Sequence, residues 1–314
     1  MSVALVTHEA CLAHDTGTGH PERADRLRSV LAALGEAHFP GLLREQAPCA
    51  SAAQLAAVHD ADYVARMLAL DIPEGGYGAL DADTVLSAGS IEAALRAAGA
   101  GVHAVDLVMA GRADAAFAAV RPPGHHAEPA RGMGFCLFDN VAVAALHARD
   151  CWGLKRIAVA DFDVHHGNGT EAAFRNDPEL FFASSHQSPF YPGTGSREEC
   201  GVAGNIANAP LPSGTGSAGF RQAWRDELLP AIDAFAPELL LVSAGFDAHR
   251  DDPLAGLLLD EADYGWITAE LVKIARRHAG GRLVSLLEGG YDLDALAHCV
   301  TAHVRALEHH ANGL

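Results

Sequence analysis

Apolar runs recur along the chain, and each gives way to a polar, glycine-containing segment. Residues 2–7, 115–120, 156–160, 180–185, 238–244 and 282–287 are short, apolar and bounded by turn residues, which predicts buried strands. Helical spacing lies between them. Leu27, Val30, Leu31 and Leu34 follow Pro21, which sits where a helix would start, and Gly35 ends the pattern. Glu22 and Arg23 read as first-turn charges of that helix. Residues 51–70 predict two short helices broken near His59 and Asp60. Residues 84–109 are alanine-rich and predict one long helix, interrupted near Gly99 and Gly101, and residues 139–147 predict another helix. The loop 71–83, with three glycines, has the length of a binding rim. Strands alternating with helices predict an α/β fold with a mostly parallel, doubly wound sheet. No linker-like tract or charge block divides the chain, so one domain over 1–314 is expected.

The stretch 156–170, RIAVADFDVHHGNGT, organises the rest. A buried strand runs into Asp161, Asp163, His165, His166 and Asn168, and ligands of such sheets bind beyond the carboxyl ends of strands. In an extended chain Asp161, Asp163 and His165 share one face. Asp163 and His165 can then bind one cation, and this donor set suits zinc, iron or manganese. Three further polar clusters follow strand ends: His125 and His126 after 115–120, Asp247 after 238–244, and Tyr291 after 282–287. If they converge, Asp163, His165 and Asp247 supply three ligands and leave an open position for chemistry. His125 or His126 can act as a base, and Tyr291 can donate to a developing oxyanion. These parts describe metal-assisted hydrolysis of an amide.

Composition narrows the partners. The 314 residues carry a formal net charge of −18, which argues against nucleic acid and favours cationic substrates. The six cysteines form no CxxC pair and predict small buried residues rather than disulfides or thiolate sites. His309 and His310 fall in a polar tail. The start, MSVALVTHEA, is too short and polar for a signal peptide, and no segment could span a membrane, so a cytoplasmic protein is expected.

The sequence resembles the histone deacetylase superfamily, in particular its class II-like bacterial members and acetylpolyamine amidohydrolases. The matching pieces are GHPER (19–23), RPPGHHA (121–127), GMGFCLFDNVA (132–142), DFDVHHGNGT (161–170), SSHQSPFYPGTG (184–195), SAGFDAHRDDPL (243–254) and LEGGYD (287–292). The resemblance implies an arginase-like α/β fold with an open, mostly parallel central sheet of about eight strands and helices on both faces. It implies Zn2+, with Fe2+ an alternative in cells, on Asp163, His165 and Asp247. It makes His126 the general base and later acid, and His125 an electrostatic helper paired with Asp161. Asn168, an amide where a carboxylate could stand, would leave His126 easier to deprotonate. Phe135 and Tyr191 match the aromatic walls around an acyl-lysine stem, and the Gly134 carbonyl an acceptor for the substrate amide. Arg23 resembles an arginine near an internal acetate channel. Asp161, Asp163, His165, Ser184 and Ser185 resemble the ligands of a structural K+, partly through backbone oxygens, and the backbone of Phe174 belongs to a second monovalent site.

The implied substrates are acylated lysine or acetylpolyamine-like amines. Leu254 occupies a rim position where polyamine-selective relatives carry a glutamate, which argues against that mode of selection; Glu74, Asp81 or Asp83 could line the rim instead. An arginase-like dimanganese ureohydrolase would need further carboxylate ligands. A non-enzymatic relic would have lost a ligand, a histidine or the tyrosine, and all are present. Oligomeric state is left open.

Overall fold

The computed structural model describes residues 2–311, with side chains through residue 308. The strands are β1 (Val3–Thr7), β2 (Leu43–Gln46), β3 (Tyr77–Ala79), β4 (Val85–Ser87), β5 (Ala115–Ala118), β6 (Ile157–Asp161), β7 (Leu180–Gln187), β8 (Ile206–Leu211), β9 (Leu239–Ala244) and β10 (Leu283–Leu287). The helices are α1 (Ala24–Ala33), α2 (Ala52–Leu55), α3 (Ala61–Leu68), α4 (Ser90–Met109), α5 (Asn140–Trp152), α6 (Asn168–Phe174), α7 (Ser217–Ala223), α8 (Leu229–Phe235), α9 (Glu261–His278) and α10 (Leu293–Ala311).

Eight strands form one sheet in the order β2-β1-β5-β10-β9-β6-β7-β8, and every neighbouring pair is parallel. Helices cover both faces, with α4 packed on α5 in one layer and α10 packed on α9 and α1 in another. The four middle strands, β5, β10, β9 and β6, are buried along their whole length, as their unbroken apolar runs predict. Because β9 and β10 insert between β5 and β6, strands distant in sequence are neighbours there. Their carboxyl ends deliver residues 121–126, Glu288 to Tyr291, Asp247 and residues 161–165 side by side.

The six predicted interior strands are present. The two edge strands, β2 and β8, lack an apolar run: β2 reads LREQ, and β8 contains Asn208 and Pro210. An edge strand tolerates both patterns, since one side has no ladder partner and proline is admitted there. Four other expectations change. Helix α1 begins at Ala24, with Arg23 as its N-cap, so Glu22 lies before the helix. Residues 85–89 are β4 and a turn, and β4 pairs with β3 in a hairpin that takes up part of the predicted rim loop. Helix α4 runs unbroken through Gly99. A Cβ there would lie 2.0 Å from the Pro48 carbonyl oxygen, so this glycine admits close packing and does not break the helix. Cys11, Cys136 and Cys299 are buried, but Cys49, Cys151 and Cys200 are exposed, against the expectation of burial; none is paired.

His309 and His310 fall in the last turn of α10, and their side chains lie outside the described ones. No helix among the described residues is long and apolar enough to cross a membrane.

Candidate active site

The backbone beyond β6 positions its own carboxylates. The N–H of Asp163 donates to Asp161 Oδ1 at 3.0 Å, and that of His165 to Asp163 Oδ1 at 2.8 Å. Asp163 Oδ2 accepts from the Gly289 N–H at 2.8 Å, which ties the segment to the end of β10. Asp247 Oδ1 accepts from the Val164 N–H at 2.8 Å, which ties it to the end of β9. These bonds gather Asp163, His165 and Asp247 so that one ligand atom from each lies within 4.8 Å of the others. Among the described residues this is the one group of three or more such side chains within reach of a single ion.

The trio fits a divalent cation. His165 Nδ1 faces Asp163 Oδ1 at 3.1 Å and Asp247 Oδ2 at 3.2 Å. Asp247 Oδ2 is buried and has no well-directed hydrogen bond, an acceptor left for a further partner. Gly245 and Gly289 wall the carboxylates closely: a Cβ at either would come within 2.0 Å of Asp163 Oδ2 or Asp247 Oδ2. Two carboxylates and one imidazole are a zinc or iron donor set. Burial opposes charge on His165, but the Asp163 and Asp247 carboxylates outweigh it and lift its pKa to about 10, the mark of a negative pocket.

Above the trio stand the paired histidines, delivered by the loop after β5. His125 Nδ1 lies 2.9 Å from Asp161 Oδ2. Burial works against charge on His125, and the carboxylates of Asp163 and Asp161 overcome it, so its pKa lies well above the ordinary value. His126 Nδ1 lies 2.8 Å from Asn168 Oδ1, and the Asn168 amide nitrogen donates to Glu128 Oε1 at 2.9 Å. That second bond fixes the amide with its oxygen toward His126, so Nδ1 carries the proton and Nε2 is a free acceptor. Burial, then the neighbouring imidazoles of His125 and His165, pushes the His126 pKa well below the ordinary value. The two imidazoles are therefore shifted in opposite directions.

A cavity of about 260 Å3 opens over these groups, lined by His126, His165, Tyr291, Phe135, Tyr191 and Gly134, with Pro21, Asp83 and Leu254 completing it. The Tyr191 ring meets His126 edge-on at 5.2 Å, and Phe190 stacks on His165 at 5.2 Å. The sequence-predicted wall, floor and tyrosine thus meet in one place, and Leu254 and Asp83 both reach it. Ser184 pairs with Asp161 in the β6–β7 register; its hydroxyl lies 2.9 Å from His186 Nδ1, and Ser185 Oγ accepts from Trp224 Nε1 at 2.9 Å. The Phe174 carbonyl accepts from the Asn205 amide.

Arg23 is not brought to the site. Its side chain is 51% exposed and pairs with Asp25, because an N-cap position points to solvent here. Arg26 takes the inner place: fully buried, it donates to the carbonyls of Gly290 and Glu288, and its guanidinium lies 4.8 Å from the Tyr291 ring centroid. Glu22, expected as a surface helix charge, is wholly buried between Arg26 and Arg121. Arg26 stands four residues after Glu22, a spacing that could have flagged the pair. Two further buried acids carried no sequence signal. Glu288 accepts from the N–H groups of Gly124 and His125, and Asp252 from those of Tyr291 and Leu254. Burial lifts Glu288 to about 8; burial and then Asp247 lift Asp252 to about 7.

Comparison with known proteins agrees with this architecture. The histone deacetylase domain matches residues 20–307. A probable deacetylase of Archaeoglobus fulgidus is 38% identical over 307 residues, covering 94% of this chain and 82% of that protein. A histone deacetylase-like amidohydrolase of Pseudomonas aeruginosa is 41% identical over 291 residues, covering 91% and 76%. The crystal structure of the HDA15 HD domain superposes with a TM-score of 0.89 at 36% identity, over 98% of this chain and 89% of that one. With a parallel eight-stranded sheet, converging histidines and carboxylates, and these relatives, the chain belongs to the histone deacetylase family of hydrolytic deacetylases.

Proposed function

We propose that the protein is a zinc-dependent amidohydrolase that removes acetyl or other short acyl groups from acyl-lysine side chains or acetylpolyamine-like amines. The observation that carries this reading is the pair of histidines, His125 against the Asp161 carboxylate and His126 against the Asn168 amide, above the Asp163, His165 and Asp247 trio at the base of a cavity. The trio would hold Zn2+, or Fe2+ in cells, and such a cation supplies Lewis acidity that polarises a carbonyl and acidifies water.

The chain's own groups supply the rest. Phe135, Tyr191 and Leu254 enclose an aliphatic stem and exclude water from it. The Gly134 carbonyl accepts from the scissile amide N–H. His126, neutral and with Nε2 free, takes a proton from the attacking water; Asn168 orients it without adding charge. Tyr291 donates its O–H to the oxygen on which negative charge develops. His126 then returns its proton to the departing amine. His125, held as a cation by Asp161, makes the protonated state of His126 short-lived and so favours that return.

The oxygen-rich ends of β6 and β7, with Asp161, Asp163, His165, Ser184 and Ser185, suit a structural K+, and the Phe174 backbone a second monovalent ion. Leu254 leaves the rim without the carboxylate of polyamine-selective relatives, while Asp83 supplies one nearby on a different segment.

The test is turnover by zinc-loaded protein on an acetyl-lysine peptide, acetylputrescine, acetylspermidine and trifluoroacetyl-lysine. Turnover that disappears on metal removal and returns with zinc supports the reading. Absence of turnover on all four by protein holding one metal per chain would overturn it.

A further inference from the structure

The wall residue Phe135 sits in a backbone conformation that phenylalanine rarely adopts. Met133 and Cys136 exchange both backbone hydrogen bonds, at 3.0 and 2.9 Å, which closes a two-residue turn. The central residues are Gly134, at φ 56°, and Phe135, at φ 69°. Positive φ at both positions is the pattern of a tight hairpin turn whose second residue is ordinarily glycine. Gly134 meets the demand; a Cβ there would lie 2.5 Å from His126 Cδ2. Phe135 does not, and such a conformation persists only where its surroundings enforce it.

Two side chains from other segments supply that enforcement. Thr84, fully buried and immediately before β4, accepts the Phe135 N–H on Oγ1 at 3.1 Å. Thr84 is itself fixed, since its N–H donates to Asp81 Oδ1 and its carbonyl accepts from Leu80. His20 meets the Phe135 ring edge-on at 4.8 Å. The His20 ring is oriented at both nitrogens. Nδ1 accepts the Glu22 N–H at 3.1 Å, so Nε2 carries the proton and donates to the Asp83 carbonyl at 3.0 Å. Glu22 is anchored in turn by the buried Arg121. The loop before α1, the rim hairpin and the 133–136 turn therefore meet on one aromatic ring.

We infer that Thr84 and His20 are positioning residues that set the substrate range of the cavity by holding Phe135 in its left-handed conformation. Without them the turn relaxes, the ring leaves the wall, and an aliphatic stem loses its packing surface while the chemistry beneath is untouched. This inference rests on reading the cavity as the site of an acyl-amide with an aliphatic stem.

The experiment compares two non-hydrolysable probes by calorimetric titration of the zinc-loaded protein. N-hexyl-N′-methylurea has an amide-like head and a stem, and N,N′-dimethylurea has the head alone. The native protein should prefer the hexyl probe. Thr84→Val should cut that preference about tenfold, the equivalent of one to two methylenes leaving the wall, with metal content unchanged. Thr84→Ser, which keeps the acceptor oxygen, should restore it. His20→Phe, which keeps the ring contact and loses both nitrogen bonds, should shift the preference in the same direction and serves if Thr84→Val fails to fold. A native-like preference in Thr84→Val or His20→Phe overturns the inference. No preference in the native protein overturns both the inference and the acyl-amide reading. A native preference without turnover on the four-substrate panel sinks the reaction while leaving the positioning role to stand or fall on the variants.

Discussion

His126 and Asn168 meet through Nδ1 and Oδ1 at 2.8 Å, and the partner is an amide where His125, one residue earlier, has the carboxylate of Asp161. That difference adds to burial, the pull of Asp163 on His125 and the neighbouring imidazoles around His126 in shifting the two rings in opposite directions. Replacing the amide by a carboxylate, as Asn168→Asp combined with Glu128→Gln so that two acids do not face each other, stabilises the protonated form of His126. A raised pKa keeps the base protonated to higher pH, so the acid limb of kcat/KM against pH should move upward by about 1 unit or more. A profile that does not move removes His126 from the role of base.

Asp247 contributes a buried oxygen without a hydrogen-bond partner, so its loss should be felt first in metal retention. Asp247→Ala is expected to weaken metal binding more than the roughly 10–100-fold typical of residues that only support a ligand, with turnover lost in parallel. Metal analysis after dialysis, beside a folding control by circular dichroism, checks this. A variant that keeps both zinc and turnover removes Asp247 from the ligand set.

Tyr291 is expected to act on the transition state alone. Tyr291→Phe should lower kcat by about 10²–10³-fold, as for loss of one oxyanion donor, while zinc content and KM stay near native values. Steady-state kinetics with metal analysis distinguishes this from a defect in binding.

Glu22 is an acid buried against Arg121 and Arg26, and its depressed pKa contributes to acid sensitivity. Burial raises its pKa, but Arg121, His14 and Arg26 outweigh that and bring it down to about 2, below its ordinary 4.5. A depressed folded pKa gives stability that is complete above the ordinary value and is lost as pH falls toward 2. Glu22→Gln should therefore destabilise the protein by about 3–5 kcal/mol at pH 7, the cost of leaving buried charge unpaired, and by less near pH 3. Urea unfolding at both pH values measures the difference.

The sequence made the centre of the molecule legible and its margins much less so. Interior strands announce themselves as apolar runs because both faces are buried, whereas β2 and β8 at the edges carry Arg44, Glu45, Asn208 and Pro210 and resemble loops. The site was readable because Asp163, His165 and the paired histidines are local motifs at strand ends. Glu22 was misread because its partner Arg121 stands 99 residues away, and a surface helix charge has the same local appearance. Arg23 was expected near the site and Arg26 was not, for a similar reason: which arginine turns inward depends on where α1 starts, and the structure begins it three residues after Pro21. Glu288 accepts from the backbone N–H groups of Gly124 and His125 and Asp252 from that of Tyr291, contacts with distant segments that leave no pattern of residue types to find.

Gly245 and Gly289 press their bare backbones against the carboxylates of Asp163 and Asp247, so neither position can accept even an alanine without displacing one of those carboxylates. The floor of the cavity is thereby closed to mutational drift, while its walls come from separate surface segments that can each change alone. Over generations such a chain can trade one amide for another through its loops and keep a single reaction, and directed evolution of new substrates should concentrate its libraries on Asp83, Tyr191 and Leu254 and leave the floor fixed.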